Sequence, residues 1–365
     1  MEKFWMNLQL FAEAGTLVNA TQNYVNAYTG ETTSFTPGSD DLGPLNKTFY
    51  DTELLDNARD QLIFAQLGRK QALPKNHGRT VEWRRWQTLG RVGQLTEGVI
   101  PTGKKLGMVA QTVTLAQYGD YVAISDLLIT HAIDDAVLGA TEELGAAAGL
   151  TNDELVRNVL MAGTNIIFAD AYNSSGVKQN RPTTKAQLTY AIHTSGYTCN
   201  LTSDMIAQAV TNLKKGAKML KYQGQYYVAV VHPDVAEDLR RDSAWIEAHK
   251  YMAAEEIFNG EIGRMHGVRF VESNLAPVIK VSADSDPCAT YKTMFFAKDA
   301  FGVIDAEGGG LETIIKDKKE VGGPLEQFGT VGVKFEMAAK ILYQERMVTV
   351  WSGSSYSETE DTNIA

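Results

Sequence analysis

Two extended runs separated by a long glycine-rich stretch constrain the fold of this chain most strongly. Residues 80–86 (TVEWRRW) and 111–115 (QTVTL) alternate polar and apolar side chains, which is the period of a half-buried β-strand. Residues 88–108 between them hold five glycines and one proline. The pattern predicts a long β-hairpin with a loose tip. Because an isolated two-stranded ribbon is marginal in water, the hairpin must lie on something, and the sequence offers no obvious local candidate.

The N-terminal residues 1–48 also lack a core of their own. They are rich in Thr, Asn, Gly and Ser, carry scattered aromatic side chains, and show no helical or strand period. Such a segment has too many apolar side chains to be a solvated tail. It is therefore predicted to be an arm that lies on another surface, such as a second subunit.

Two helices are predicted in the first half of the chain. The first covers about 49–67 and ends at Gly68. The second begins at Asp126, after which Leu or Ala recurs at every fourth position. Residues 151–154 (TNDE) form a capping box, so this helix either restarts there or bends and continues to about Met161.

The second half of the chain alternates helical and extended patterns. Pro233 is expected in the first turn of a helix. Helices are predicted at 203–220 and 234–250, and strands at 226–231, near 268–272 and 292–297, and as long runs at 311–317 and 328–351. From about residue 201 the pattern is therefore α/β, and the last part of it returns to long strands.

Composition excludes several classes of protein. With 44% hydrophobic residues, a chain of 365 residues can bury a sizeable core, but no apolar run is long enough to cross a membrane. A net charge of -10 argues against a protein whose own surface grips nucleic acid, because that binding depends on clustered Lys and Arg. An acidic protein can still enclose DNA.

No catalytic, cofactor or metal site is predicted. Residues 98–105 (GVIPTGKK) nearly match a phosphate-binding loop, but Lys105 replaces the magnesium-binding hydroxyl residue and Pro101 removes an amide donor. A flexible basic hairpin tip that meets an acidic neighbour explains these residues better. The six histidines share no ligand spacing.

The aromatic and basic side chains of the hairpin and arm are the candidate functional residues. Arg84 and Arg85 between Trp83 and Trp86 could bind single-stranded nucleic acid by stacking and charge. On a ribbon that needs a partner, a protein interface is the favoured interpretation, since such residues are enriched there. The predicted assembly contacts are Trp83, Arg84, Arg85, Trp86, Lys104, Lys105, Phe4, Trp5 and Phe11.

The order of elements, together with several short motifs, resembles one known family. The order is an arm, a long hairpin, a long small-residue helix, a compact α/β region and a return to long strands. The opening MNLQLFA (6–12) is similar to the start of coat proteins of phages of Gram-positive hosts. Other motifs resemble a branch related to the coats of large-polymerase podophages: LTEG (95–98), QYGDY (117–121), LTNDE (150–154), GEIG (260–263) and VESN (271–274). The chain thus resembles the tailed-bacteriophage major capsid fold, which herpesvirus capsid floors and encapsulins share. The resemblance implies an α+β protein in which a long spine helix lies on long antiparallel strands and a compact sheet has flanking helices.

The resemblance implies named parts with approximate boundaries. They are an N-terminal arm (N-arm, 1–48), a P-domain with the spine helix (49–79, 119–200 and 311–355), an E-loop hairpin (80–118), an A-domain (201–310) and an acidic tail (356–365).

The resemblance also implies function, partners and location. The chain is expected to self-assemble, as hexamers and pentamers, into an icosahedral shell that encloses phage double-stranded DNA without sequence-specific binding. Portal, scaffolding and decoration proteins are further expected partners. The expected location is the virion, after assembly in the host bacterial cytoplasm. The alternative is an encapsulin-like compartment that encloses cargo enzymes.

Overall fold

The computed structural model of the protein describes residues 22–25, 32–35, 62–74, 78–98, 100–131, 136–179, 181–193, 196–216, 220–222, 226–249, 261–283, 286–306, 309–321 and 326–356. Its helices are α1 (Phe64–Leu67), α2 (Asp126–His131), α3 (Ala136–Leu160), α4 (Lys185–His193), α5 (Ser203–Gly216), α6 (Pro233–Arg241), α7 (Ser243–His249) and α8 (Lys318–Val321).

The strands complete the inventory of this part of the chain. They are β1 (Gln22–Val25), β2 (Thr32–Phe35), β3 (Arg69–Leu73), β4 (Thr80–Trp86), β5 (Met108–Thr114), β6 (Ala116–Ser125), β7 (Ile166–Phe168), β8 (Tyr172–Asn173), β9 (Tyr197–Thr198), β10 (Tyr227–Val231), β11 (Glu261–Met265), β12 (Val268–Glu272), β13 (Val278–Ala283), β14 (Asp286–Phe296), β15 (Phe301–Ala306), β16 (Glu312–Lys316), β17 (Phe328–Met337), β18 (Ala339–Ile341) and β19 (Met347–Ser352). The α+β class predicted from the sequence is confirmed.

The chain divides into two units, Met1–Asn57 and Ala58–Ala365. In the first unit, β1 and β2 pair antiparallel, with Gln22 opposite Phe35 and Val25 opposite Thr32. All the other elements belong to the second unit.

A seven-stranded mixed sheet organises the largest of three buried clusters among the described residues of the second unit. Its strand order is β11-β12-β10-β14-β19-β7, and β13 also pairs with β14. All five residues of β10 are buried, as expected of a central strand. Helices α5 and α6 pack their apolar faces on this sheet through residues such as Met205, Leu213 and Leu239. Burial of these faces stabilises this part of the protein.

The long helix α3 lies on a three-stranded antiparallel sheet of order β16-β17-β6. Strand β17 alternates buried and partly exposed residues along its length. Its buried side chains, Val331, Val333, Phe335 and Met337, share a cluster with Leu144 and Ala148 of α3. The long helix on long antiparallel strands is therefore present as predicted.

A second three-stranded sheet, of order β18-β15-β3, has two apolar faces. Phe301 and Val303 of β15 belong to the cluster around α3, whereas Ile304 lies in a smaller cluster on the other face. Gly68 lies between α1 and β3, directly before the strand that joins this sheet. Its φ is -74°, so it is not left-handed. A Cβ at Gly68 would lie 2.6 Å from Val303 Cγ2, so glycine is required for close approach.

The capping box at Thr151 does not start a new helix, because α3 continues through it to Leu160. Thr151 Oγ1 donates to Ala147 O (2.8 Å) within the helix. The Asp153 carboxylate is buried and accepts hydrogen bonds from Ile63 N (3.0 Å) and Ala65 N (2.7 Å). It thus satisfies the first amides of α1, a helix 90 residues away in sequence. Burial raises the pKa of Asp153, although these hydrogen bonds and the Arg157 charge oppose the shift.

Other predicted elements differ in extent from those in the structure. The helix expected at 49–67 is described only as α1, since residues 49–61 lie outside the described residues. The helix expected at 234–250 is divided at Asp242 into α6 and α7. The run expected as one strand at 328–351 forms β17, β18, a 3₁₀ turn at Gln344–Arg346, and β19. Helix α4 was not predicted.

Candidate assembly surfaces

The predicted hairpin is present, and its two strands form what we call the hairpin base. Strands β4 and β5 pair antiparallel from Thr80 opposite Thr114 to Trp86 opposite Met108. Along both strands, exposed residues alternate with partly buried ones, so the base has an outer and an inner face. The inner face is Val81, Trp83, Arg85, Val109, Gln111 and Val113, and the outer face includes Glu82, Arg84, Trp86, Met108, Ala110 and Thr112.

The inner face packs on the chain's own β18-β15-β3 sheet. Val81, Trp83 and Val113 surround the buried residues Leu115 and Ile304. The Trp83 ring lies directly on the backbone of Gly302, where a Cβ would be 2.9 Å from Trp83 Cζ2. The expectation that the chain offers the hairpin no local partner is therefore wrong for its base.

Arg85 also faces the chain's own body. Its guanidinium lies 4.7 Å from the centre of the Tyr343 ring, a cation–π contact. Trp83 and Arg85, two of the predicted assembly contacts, thus lie in an intramolecular contact. Trp83 Nε1 is buried and has no hydrogen-bond partner among the described residues.

The outer face presents the other two residues of the same motif to solvent. The Trp86 side chain is 62% exposed. Arg84 donates from Nε to Glu82 Oε1 (2.7 Å), and this hydrogen bond raises the pKa of the guanidinium. An exposed tryptophan beside an exposed ion pair is typical of an interface that is open in the isolated subunit.

The hairpin tip, residues 87–107, is exposed along almost its whole length. Every described residue from Trp86 to Leu106 is exposed. Val92 and Ile100 are both 93% exposed, and Leu89, Leu95 and Leu106 are exposed as well. Several large apolar side chains on one segment mark a surface that gains stability when another molecule covers it.

The basic residues of the tip are partly organised. Lys104 Nζ donates to Gly90 O (2.8 Å) and to Arg91 O across the tip, whereas Lys105 is exposed. Residues 98–105 are followed by strand β5 and not by a helix. The arrangement therefore lacks the helix N-terminus that a phosphate-binding loop requires. Phe4, Trp5 and Phe11 lie outside the described residues.

A further exposed apolar surface was not predicted from the sequence. None of the six residues of α2 is buried, although Leu127, Leu128 and Ile129 are consecutive apolar residues. Leu127 is 73% exposed. Phe328, which pairs with the residue directly before α2, is also exposed. We call Leu127, Leu128, Ile129 and Phe328 the α2 patch. The sequence shows three consecutive apolar residues there, but it does not show that they are exposed.

His232 is a buried titratable side chain with a structural role. His232 precedes Pro233, the first residue of α6, and its Nδ1 accepts from Asp234 N (3.3 Å). Burial lowers the pKa of His232. No group of three or more His, Cys, Asp or Glu side chains in the described ranges could hold a metal ion. Within the same ranges, no helix has the length and hydropathy needed to span a bilayer.

Three solved phage capsid structures share this fold. The capsid of cyanophage P-SCSP1u is 14% identical, with a TM-score of 0.61 over 92% of this chain and 100% of that chain. The capsid of Ralstonia phage GP4 is 18% identical, with a TM-score of 0.59 over 88% and 99%. The capsid of Helicobacter pylori bacteriophage KHP30 is 10% identical, with a TM-score of 0.64 over 86% and 98%. These likenesses confirm the predicted fold.

The sequence itself carries the family assignment. No curated protein sequence matches the chain significantly. A family model described as phage capsid protein matches residues 109–341, which is well over half of the chain and runs from the second strand of the hairpin to β18. The chain therefore belongs to the phage capsid protein family and is a shell-forming major capsid protein.

Proposed function

We propose that the protein forms an icosahedral shell of hexamers and pentamers around phage double-stranded DNA, and that the outer face and tip of the hairpin bind a neighbouring copy. The observation that carries this proposal is the exposed run from Trp86 to Leu106. Its base is fixed on the chain's own sheet, so the tip projects apolar side chains with no cover in the isolated subunit. Covering them contributes roughly 25 cal/mol per Å².

The shell is held by many such contacts at once. Each hairpin contact is small, but a subunit in a closed lattice is bound by several neighbours, and their effects multiply. The α2 patch is a second surface of the same kind, since α2 has no buried residue of its own. The N-terminal residues Phe4, Trp5 and Phe11 are proposed as a third contact, on their composition alone.

The division into N-arm (1–48), E-loop (80–118), P-domain (49–79, 119–200, 311–355), A-domain (201–310) and tail (356–365) is part of this proposal. The long α3 helix on strands β6 and β17 supports the P-domain, and the sheet around β10 and β14 supports the A-domain. Strand β17 belongs to the β16-β17-β6 sheet and β19 pairs with β14 in the seven-stranded sheet, so residues 328–352 link these two sheets.

We propose that the protein works by assembly and without catalysis, as capsid proteins generally do. The family favours a phage shell over an encapsulin-like compartment with enzyme cargo. The net charge of -10 supports enclosing DNA without sequence-specific binding, because an acidic wall does not adhere to phosphates. Portal, scaffolding and decoration proteins are proposed partners, and the host cytoplasm is the proposed place of assembly before the protein resides in the virion.

Removal of the hairpin tip tests this function. A variant that lacks residues 90–106 leaves β4 and β5 to be joined by a short turn. We expect a folded, soluble subunit with unchanged far-UV circular dichroism and no shells in negative-stain micrographs. The reason is that every described residue of 90–106 is exposed, so removal of these side chains takes no packing from the body.

A matched control separates tip length from tip chemistry. Replacing residues 90–106 by Gly and Ser of equal length keeps the loop closed but removes the apolar side chains. We expect this variant to fail in assembly as well. Normal shells from the deletion variant would contradict the proposed role of the tip.

A further inference from the structure

A five-residue segment between β18 and β19, which we call the connector (residues 342–346), touches several parts of the second unit. It carries the chain from the three-stranded sheet to the seven-stranded sheet. On one side, Leu342 N and Tyr343 N both donate to Ala300 O (3.0 Å each). Arg346 Nη1 donates to Lys298 O (3.0 Å). The connector is thus fixed to the turn that joins β14 and β15.

The connector also contacts the ends of two helices. Gln344 Oε1 accepts from Thr164 N (3.0 Å), just beyond the end of α3. Glu345 O approaches Gly216 at the end of α5 so closely that a Cβ there would lie 2.5 Å away. Movement of the connector would therefore disturb both helix ends.

The connector meets the hairpin base through Tyr343 and Leu342. The Tyr343 ring lies 4.7 Å from the Arg85 guanidinium and 3.7 Å from that of Arg346. Leu342 Cδ1 lies 3.3 Å from a Cβ built on Gly302, the residue on which Trp83 rests. Arg85 thus contacts the connector directly, and Trp83 lies beside it on Gly302.

The charges at this contact make the ring important. Neither Arg85 nor Arg346 has a carboxylate within ion-pair distance among the described residues. Two guanidinium groups close to one ring repel each other, and the attraction of each group to the π-electrons of the Tyr343 ring offsets this repulsion. Without the ring, Arg85 would lose its partner and face a like charge.

We propose that Tyr343 is a positioning residue that sets the angle of the hairpin relative to the body of the subunit, by holding Arg85 against the connector while Gly302 admits Trp83. The inference rests on the proposed function of the hairpin in assembly. A two-stranded ribbon depends on its docking contacts because it is marginal in water by itself. Loss of the Tyr343 contact leaves the base held by Val81, Trp83 and Val113, so the base opens more often and the angle of the tip is less well fixed. A tip held close to one orientation loses less conformational entropy when it binds a neighbouring copy, so a loosened base should weaken assembly.

The test compares Tyr343→Ala with Tyr343→Phe, which keeps the ring. In the isolated subunit, hydrogen–deuterium exchange of β4 and β5 should become about tenfold faster in Tyr343→Ala and stay normal in Tyr343→Phe. Shells of Tyr343→Ala should be absent or irregular in micrographs, and Tyr343→Phe should restore them. Tyr121→Ala, which removes an exposed tyrosine of β6, is the control and should change neither measurement.

A second variant protects the test against a folding defect. Arg85→Ala removes the same contact from the side of the hairpin and should give the same faster exchange. Unchanged exchange in both Ala variants, or failure of Tyr343→Phe to restore it, would overturn the proposal. Faster exchange with normal shells would overturn the link between hairpin angle and assembly, whereas the deletion of 90–106 tests the tip independently.

Discussion

At the scale of single residues, buried polar groups determine how distant segments meet. Asp153 and Arg157 lie one turn apart on α3 and are both buried. Asp153 binds the start of α1, and Arg157 Nη1 donates to Leu275 O (3.4 Å) beside the seven-stranded sheet. The sequence showed a capping box at this place, but its partners are 88 to 118 residues away. Sequence patterns predict local capping and carry no signal for such distant partners.

His232 gives a prediction about pH at this scale. Burial lowers its pKa in the folded state, although Asp234 opposes the shift. The unfolded chain therefore binds a proton first as the pH falls. The stability that His232 contributes is complete above its ordinary pKa of about 6.5 and is lost as the pH falls from there toward the folded pKa. Tyr291 donates to Asp234 Oδ2 (2.5 Å) and keeps that carboxylate in place.

The variant His232→Asn should make the free energy of unfolding less dependent on pH between about 5 and 7. Asn accepts the same amide at the start of α6 and does not titrate. Urea denaturation at several pH values measures the difference, with His131→Asn, on the exposed helix α2, as control. Parallel pH profiles for the wild type and His232→Asn would contradict the prediction.

At the scale of elements, the sequence predicted the two strands and the tip of the hairpin. It did not predict which face of the hairpin docks on the body of the subunit. The alternating pattern located both strands and the tip. It could not assign the faces, since one face carries Trp83 with Arg85 and the other carries Trp86 with Arg84, so their hydrophobicity is similar. The docking sheet also depends on β3, which pairs in parallel with β15 more than 200 residues later. No local signal reveals that pairing.

Substitution of each of the two tryptophans of β4 should distinguish an effect on subunit stability from an effect on shell assembly. Trp86→Ala should change the free energy of unfolding by less than about 0.5 kcal/mol, because the side chain is exposed, yet should reduce shell formation. Trp83→Ala should lower the free energy of unfolding by about 1–3 kcal/mol, because it removes packing on Gly302 and Ile304. Urea denaturation and sedimentation of assembled shells measure the two effects. Equal losses of stability in both variants would show that the faces are assigned incorrectly.

The break within 328–351 shows the same limit of sequence reasoning. Residues 338–350 contain no proline or glycine, so their apolar character predicted one strand. The strand is interrupted because residues 342–346 bond to Ala300 and Lys298 in place of a neighbouring strand. The interruption is a tertiary effect, and it is what allows β19 to join a different sheet.

At the scale of the whole molecule, the surfaces left open in the subunit lie on separate elements. The hairpin tip and the α2 patch both expose apolar side chains that the subunit itself leaves uncovered. A particle built from one kind of subunit needs several distinct contacts on each copy, and the two surfaces satisfy that requirement. Only the hairpin among them was predicted from the sequence, since the α2 run resembles part of a buried helix.

Leu127→Asn tests the α2 patch. Subunit stability should be unchanged, while association of subunits should weaken about tenfold, because burying a leucine contributes about 1.5–3 kcal/mol. Light scattering against protein concentration measures the assembly threshold. Thr130→Asn, an exposed polar residue of the same helix, is the control. An unchanged threshold in Leu127→Asn would remove α2 from the set of contacts.

The position of β19 has a consequence for synthesis of the protein. This strand lies between β14 and β7, and β7 pairs with no other described strand. The seven-stranded sheet therefore stays incomplete until the ribosome has delivered residue 352, however early the preceding strands emerge. A prematurely terminated product retains an open gap at that place and exposes the apolar residues around Val348 and Val350. Translation through residue 352 is in this way a condition for a subunit that can enter the particle.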